Sequence, residues 1–414
     1  MIQPPLGLFA AYGIELEYMI VDAESLQVRP IADLLLQQAA GSIVSDVEFG
    51  DISWSNELAL HVIELKTTQP AADLGPLAER FQDHVGRVNA LLSPLGAQLM
   101  PGAMHPTMDP ARELRLWPHD CSAVYETFNR IFDCRGHGWA NLQSVHLNLP
   151  FADDDQFGRL HAAIRLLLPL LPALAASSPL IAGRLSGLLD TRLEVYRGNS
   201  ARVPSVSGQV IPEPVFTRDD YDRQIFQTIY RDIAPLDPAG ILQHEWLNAR
   251  GAIARWDRNA IEIRVLDIQE CPAADLAIAQ AIRDVLVRLV AEQPSTAAQQ
   301  QNVPQTELTT LLAATIRDAD DAVVDQRQLL AALGVRDAAP LSARELWTRL
   351  LEPLPLLSDS DRASRQAIDL ILAEGVLARR IVQRLSTEPD VGQVSQLAGE
   401  LCECLAQGRM LRAR

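Results

Sequence analysis

The segment Gly13-Ile14-Glu15-Leu16-Glu17-Tyr18 constrains the fold more than any other stretch of this 414-residue chain. In extended backbone, alternate side chains share a face, so Glu15 and Glu17 point one way while Ile14, Leu16 and Tyr18 point the other. Leu8, Phe9 and Ala10 precede it and Met19, Ile20 and Val21 follow it, which reads as an interior strand over 8–22. Neighbouring carboxylates on a covered strand repel each other and resist desolvation unless positive charge lies between them. A divalent cation meets that need most simply. A solvent-facing strand with two solvated acids is the alternative.

Three later stretches repeat the design. In Ala260-Ile261-Glu262-Ile263-Arg264-Val265-Leu266-Asp267, Glu262 and Arg264 share a face against Ile261, Ile263 and Val265; a cross-strand ion pair on a wet sheet would look the same. Gln143-Ser144-Val145-His146-Leu147-Asn148-Leu149 sets Ser144, His146 and Asn148 together, although a lone strand histidine is often a hydrogen-bonded structural residue. Glu57 and Glu64 bracket another apolar run, and their odd spacing lets them share a face only if the chain turns or bulges between them. Carboxylates with one imidazole and no thiolate set suit magnesium or manganese better than zinc. Several acids imply more than one cation, as a nucleotide polyphosphate requires. A Walker loop is absent, as is a GxGxxG followed by a helix.

Composition narrows the partners. A net charge of −17 repels phosphate backbones, and no basic cluster interleaved with aromatics is present, so nucleic acid is not an expected partner. No secretory signal is apparent, and the most apolar run, 166–176, is too short to span a bilayer and reads as a buried helix. Five scattered cysteines read as reduced thiols in a cytoplasmic protein.

Patterning predicts helices over 30–40, 77–92, 122–133, 153–176, 223–233 and 274–291, with strands over 43–49, 58–65, 97–101, 141–149, 247–254 and 260–267. The Pro-, Ser- and Gly-rich stretch 199–218 reads as a long ordered loop or an active-site lid. A polar linker over 293–307 separates a catalytic domain, 1–292, from a helical region, 308–414. That region holds no chemical motif and is open to a role in dimer contact or as a pocket wall.

Taken in order, these motifs, with Glu64-Leu65-Lys66-Thr67, Met104-His105-Pro106 and Ala175-Ala176-Ser177-Ser178-Pro179, resemble the glutamate–cysteine ligases. The likeness is greatest to their bacterial carboxylate–amine ligase branch and runs from about residue 8 to 290. The resemblance implies an α+β, glutamine-synthetase-like fold: a curved, mostly antiparallel sheet forming a funnel, with helices outside and metals inside. It implies an ATP- and Mg2+- (or Mn2+-) dependent ligase joining the γ-carboxylate of glutamate to cysteine or a similar amine through an acyl phosphate.

By resemblance, Glu15, Glu17, Glu57, Glu64, His146 and Glu262 are the metal ligands, with Glu57 also catalytic. Arg264 is the catalytic, phosphate-contacting arginine, joined by Asn148 at the nucleotide. Arg192 and Gln143 lie at the amino-acid substrate. The loop 106–121 and the segment 197–215 depart from the family's cysteine-binding elements, which leaves a non-cysteine acceptor open. A guanidine phosphotransferase or metal-dependent hydrolase of the same fold, and a non-catalytic binding protein, are the remaining alternatives. Expected partners are small molecules and a second copy of the chain.

Overall fold

The first strand, β1 (Gly13–Asp22), has sheet neighbours along both edges, which is why its apolar face is a continuous run of buried residues. The computed structural model describes residues 5–336, 339–352 and 359–413. β2 (Asp46–Phe49), β3 (Ile52–Asn56) and β4 (Val62–Thr67) form a meander on one side of β1. On its other side β5 (Ala97–Met100) pairs with the second half of β1, and β6 (Ser144–Pro150) with the first half. After a small hairpin, β7 (Leu180–Ile181) with β8 (Arg184–Leu185), the sheet is completed by β9 (Ala252–Arg255) and β10 (Ala260–Asp267). The order is β2-β3-β4-β1-β6-β10-β9, with every described pairing antiparallel.

The two faces of this sheet differ in kind. Ile14, Leu16, Tyr18 and Ile20 pack with Phe81, Val85 and Val88 of the helix Leu77–Leu92 and Ile278 and Ile282 of the helix Pro272–Val290 in one apolar cluster. The opposite face carries the charged side chains and lines a cavity. This is the expected α+β arrangement, an antiparallel sheet with helices behind it.

Some elements sit where the pattern predicts and others move for identifiable reasons. The helix Leu77–Leu92 and the strand β10 match the expected bounds. The helix expected over 153–176 breaks: Asp154–Leu167 is α-helical, Leu168–Leu170 is a 3₁₀ turn and Pro172–Ala175 a further turn, since Pro169 and Pro172 have no N–H to continue the ladder. The strand expected over 58–65 is shifted to Val62–Thr67, and β3 was not expected at all. The stretch 199–218 is a packed strap, not a lid. Val203, Val206, Val210, Ile211 and Val215 are buried in the core, and of this stretch only Asn199 reaches the cavity.

The segment 293–307 contains a capped helix, Ala297–Gln301, whose Gln300 is buried and donates to the Leu289 carbonyl. Beyond it, Trp347 Nε1 donates to the Leu170 carbonyl (2.9 Å), and a short ladder joins β11 (Val323–Val324) to β12 (Leu341–Ser342). Arg380 is fully buried, 2.7 Å from Glu270 Oε1, and also donates to the Gly375 and Leu411 carbonyls. Removing one member of a buried ion pair leaves the other charge uncompensated. Arg380→Ala should therefore lower unfolding stability by about 3–5 kcal/mol in urea titration. Arg317→Ala, which removes an exposed pair with Asp318, should cost under about 1 kcal/mol. Equal effects would contradict a larger contribution from the buried pair.

Candidate functional site

Strand register sets the charged face. Glu15 lies between Lys66 of β4 and His146 of β6, Glu17 lies directly opposite Glu64, Ser55 opposite Glu64, and Asn148 opposite Glu262. Two carboxylates facing each other across an antiparallel pair destabilise the sheet unless charge is supplied. β6 meets β1 closely because residue 13 is glycine: a Cβ there would come within 2.9 Å of Asn148 Cβ. Past Leu16, β6 and β1 separate, and Ser144 N and Oγ donate to Glu17 Oε2 (2.7 and 2.9 Å) instead of to backbone.

The side chains bring two groups of acids together. Ligand atoms of Glu15, Glu64 and His146 lie within 4.8 Å of one another, and so do those of Glu17, Glu57 and Glu64. Glu64 belongs to both. Glu57 follows the end of β3, and the turn before β4 brings it to Glu64, as their odd spacing requires.

Electrostatics mark the crowding. Burial, then Glu64 and Glu17, push Glu57 well above the usual carboxylate range. Burial and Glu15 push Glu64 up to about 7 against the pull of Lys66, which lies 3.0 Å from its Oε1. His146 is half-buried, and the desolvation disfavours its charged form. The 2.8 Å contact with Glu15, with Glu17 and Glu262 beyond it, outweighs that burial and raises its pKa to about 9. Burial would raise Glu15, but His146, Arg258 and Lys66 outweigh it and hold this acid below its ordinary range. A cluster of buried oxygen donors that keeps protons to relieve repulsion suits a hard divalent cation.

Glu262 belongs to neither group, although its Oε1 lies 3.9 Å from His146 Nδ1. Arg264 Nε lies 2.8 Å from its Oε1 and Arg255 Nη1 3.1 Å from its Oε2. Arg264 emerges from an irregularity in the β6–β10 ladder, where its carbonyl accepts from Arg192 Nη2 (2.9 Å). Arg192 is buried and ion-pairs with Asp267 (3.2 Å), while its Nε has no partner among the described residues.

Apart from Ser55 and Asp267, these groups line one cavity of about 840 Å³, in the upper part of the usual small-molecule range. Of the residues expected from sequence, Glu15, Glu17, Glu57, Glu64, His146, Asn148, Arg192, Glu262 and Arg264 line it. Gln143 does not: it is buried at the edge of β6 with its amide unpartnered among the described residues. Sequence reasoning missed Lys66, Arg255 and Arg258. Period-two alternation does put Lys66 on the face of Glu64, whereas nothing local ties Arg255 to Glu262. Also missed was a wall of Tyr125, Phe128, Trp139 and Trp246, which three separate segments assemble.

The family model described as glutamate-cysteine ligase family 2 matches residues 11–400. An uncharacterized protein of Archaeoglobus fulgidus is 30% identical over 400 residues, covering 96% of this chain and 99% of that one. A Bradyrhizobium sp. protein carrying the name "Putative glutamate–cysteine ligase 2" is 26% identical over 287 residues, 65% of this chain and 59% of its own length. The crystal structure of glutamate–cysteine ligase from Francisella tularensis in complex with AMP superposes with a TM-score of 0.58 at 12% identity, covering 96% of this chain and 88% of that chain. At that identity the likeness speaks for the fold. The family match spans nearly the whole chain, and the protein belongs to glutamate-cysteine ligase family 2, a family of ATP-dependent carboxylate–amine ligases.

Proposed function

We propose that the protein joins the γ-carboxylate of glutamate to an amine while ATP becomes ADP and phosphate, through an acyl phosphate. The observation that carries this reading is the pair of acid groups sharing Glu64, with Arg264 in the same cavity. Glu15, Glu64 and His146 would hold one Mg2+ or Mn2+, and Glu17, Glu57 and Glu64 a second. Such ions neutralise the polyphosphate and let an anionic carboxylate approach it.

The chain's own groups do the remaining work. Arg264, aimed by its ion pair with Glu262 and by the backbone contact from Arg192, meets the charge that spreads over the transferring phosphoryl oxygens. Asn148, whose Nδ2 donates to Glu15 Oε1 (3.1 Å), would contact the nucleotide. Arg192 would hold the carboxylate of the amino-acid substrate. In the first step the γ-carboxylate oxygen bonds to the terminal phosphorus and ADP leaves. In the second the amine nitrogen bonds to the acyl carbon, phosphate leaves with the C–O electron pair, and the surplus proton passes to solvent. The nucleophile is the nitrogen of the acceptor amine. A cytoplasmic setting agrees with five unpaired cysteines, and no helix among the described residues is long and apolar enough to cross a membrane.

Two measurements test this reading. In an ADP-release assay with glutamate and amine, Glu64→Gln and Glu15→Gln should each lose at least about 100-fold in turnover, the loss expected when metal affinity falls. Undiminished rates would exclude a ligand role. Cation binding should also release protons. Glu57, Glu64 (about 7) and His146 (about 9) hold protons at neutral pH in the cation-free protein, and a bound cation favours their deprotonated forms. Adding MgCl2 or MnCl2 to weakly buffered protein at pH 7 should acidify the solution, and less so for Glu64→Gln. A constant pH would contradict the assignment.

A further inference from the structure

One part of the cavity has no role in phosphoryl transfer. The helix Ser122–Phe132 turns Tyr125 and Phe128 toward it, the short helix His137–Ala140 adds Trp139, and the 3₁₀ turn Glu245–Leu247 adds Trp246. The rings form a continuous surface, with Phe128 centred 5.2 Å from Trp139 and 5.9 Å from Trp246. This surface adjoins the acids: Tyr125 Oη accepts from Asn56 Nδ2 (3.0 Å), and the same amide reaches the Glu57 carbonyl (3.2 Å).

Of the polar groups around the rings, Trp139 Nε1 and the Asn199 amide are already engaged, which leaves Trp246 Nε1 and the Tyr125 hydroxyl proton. Trp139 Nε1 donates to the Asn199 carbonyl (3.1 Å), and Asn199 Nδ2 donates to the Gly138 carbonyl (2.9 Å). Gly138 permits that approach, since a Cβ there would lie 2.8 Å from Asn199 Cβ. What remains for a ligand is chiefly ring faces, which recognise flat apolar groups. A nucleobase is recognised by hydrogen bonds along its edge as well as by stacking, and this surface leaves few.

Charge narrows the occupant further. An amino-acid acceptor brings a carboxylate, which needs a cation. Among the described residues lining the cavity, Lys66, Arg255 and Arg264 pair with Glu64 or Glu262, and Arg192 pairs with Asp267 and is assigned to glutamate. Arg258, beside the start of β10, faces Glu15 and Asp257, each at 3.9 Å.

We propose that the acceptor is an arylalkylamine without a carboxylate, its ring seated on Phe128, Trp139 and Trp246 and its nitrogen directed to the acid-lined floor. This rests on the ligase reading above and specifies its second substrate. The nitrogen lone pair forms the amide bond as phosphate departs, and the ring side chain is retained in the product.

The test compares 2-phenylethylamine with ethylamine and cysteine in glutamate-dependent ADP release. The ring-bearing amine should show kcat/KM higher by roughly tenfold or more, as one stacked ring contributes. Phe128→Ala and Trp246→Leu should remove that advantage through KM. Turnover in which cysteine or ethylamine equals or exceeds the ring-bearing amine overturns the proposal and leaves the ligase reading standing. If no amine supports ADP release, the ligase reading fails, and calorimetry decides the aromatic site alone. Binding of 2-phenylethylamine that is weakened by Phe128→Ala and undisturbed by adenosine upholds the site. No binding, or displacement by adenosine, overturns it and gives the wall to the nucleobase.

Discussion

The interaction on which the rest depends is the repulsion between Glu17 and Glu64, fixed opposite each other by the β1–β4 register. Neither can turn away, because each sits in a strand whose alternate residues are committed to the apolar layer behind. Slipping the register by one residue would bury the acids and expose Ile14, Leu16 and Ile63. The hydrophobic core thus holds the carboxylates together against their electrostatics. Core stability offsets a site that is electrostatically unfavourable in itself.

Partial compensation is built into the chain. A proton on His146, the ammonium of Lys66 and the guanidinium of Arg258 offset the charge of Glu15 and Glu64. Glu262 is treated differently, clamped between Arg255 and Arg264. That divides one charged sheet face into two chemical zones: an acid-rich zone suited to cations, and a guanidinium zone suited to phosphoryl oxygens. The ladder irregularity at Arg264, secured by Arg192 and Asp267, sets the boundary between them.

Much of this was legible in sequence because the strands that carry the acids obey period-two alternation. Glu15 with Glu17, His146 with Asn148, and Glu262 with Arg264 share faces as their spacing requires. The helix Leu77–Leu92 was equally plain, since Pro76 opens it and its apolar positions recur at helical intervals. Other features could not be read locally. β3 is Ile-Ser-Trp-Ser-Asn, too polar and short to announce a strand, and its pairing with β4 supplies what its composition lacks. The strap over 199–218 reads as an ordered loop or a lid by composition, and its burial of five β-branched side chains fits the ordered loop. Gln143 shares a motif with His146 but sits at the strand edge, away from the cavity. The aromatic wall joins residues more than a hundred positions apart, a convergence that no local period encodes.

The central claim, that the core holds these acids around cations, is tested most directly by anomalous scattering from crystals of the protein grown with MnCl2. The account predicts two manganese peaks flanking Glu64, one within bonding distance of Glu15 and His146 and the other of Glu17 and Glu57. A cavity without manganese, or manganese bound only elsewhere on the protein, would contradict it.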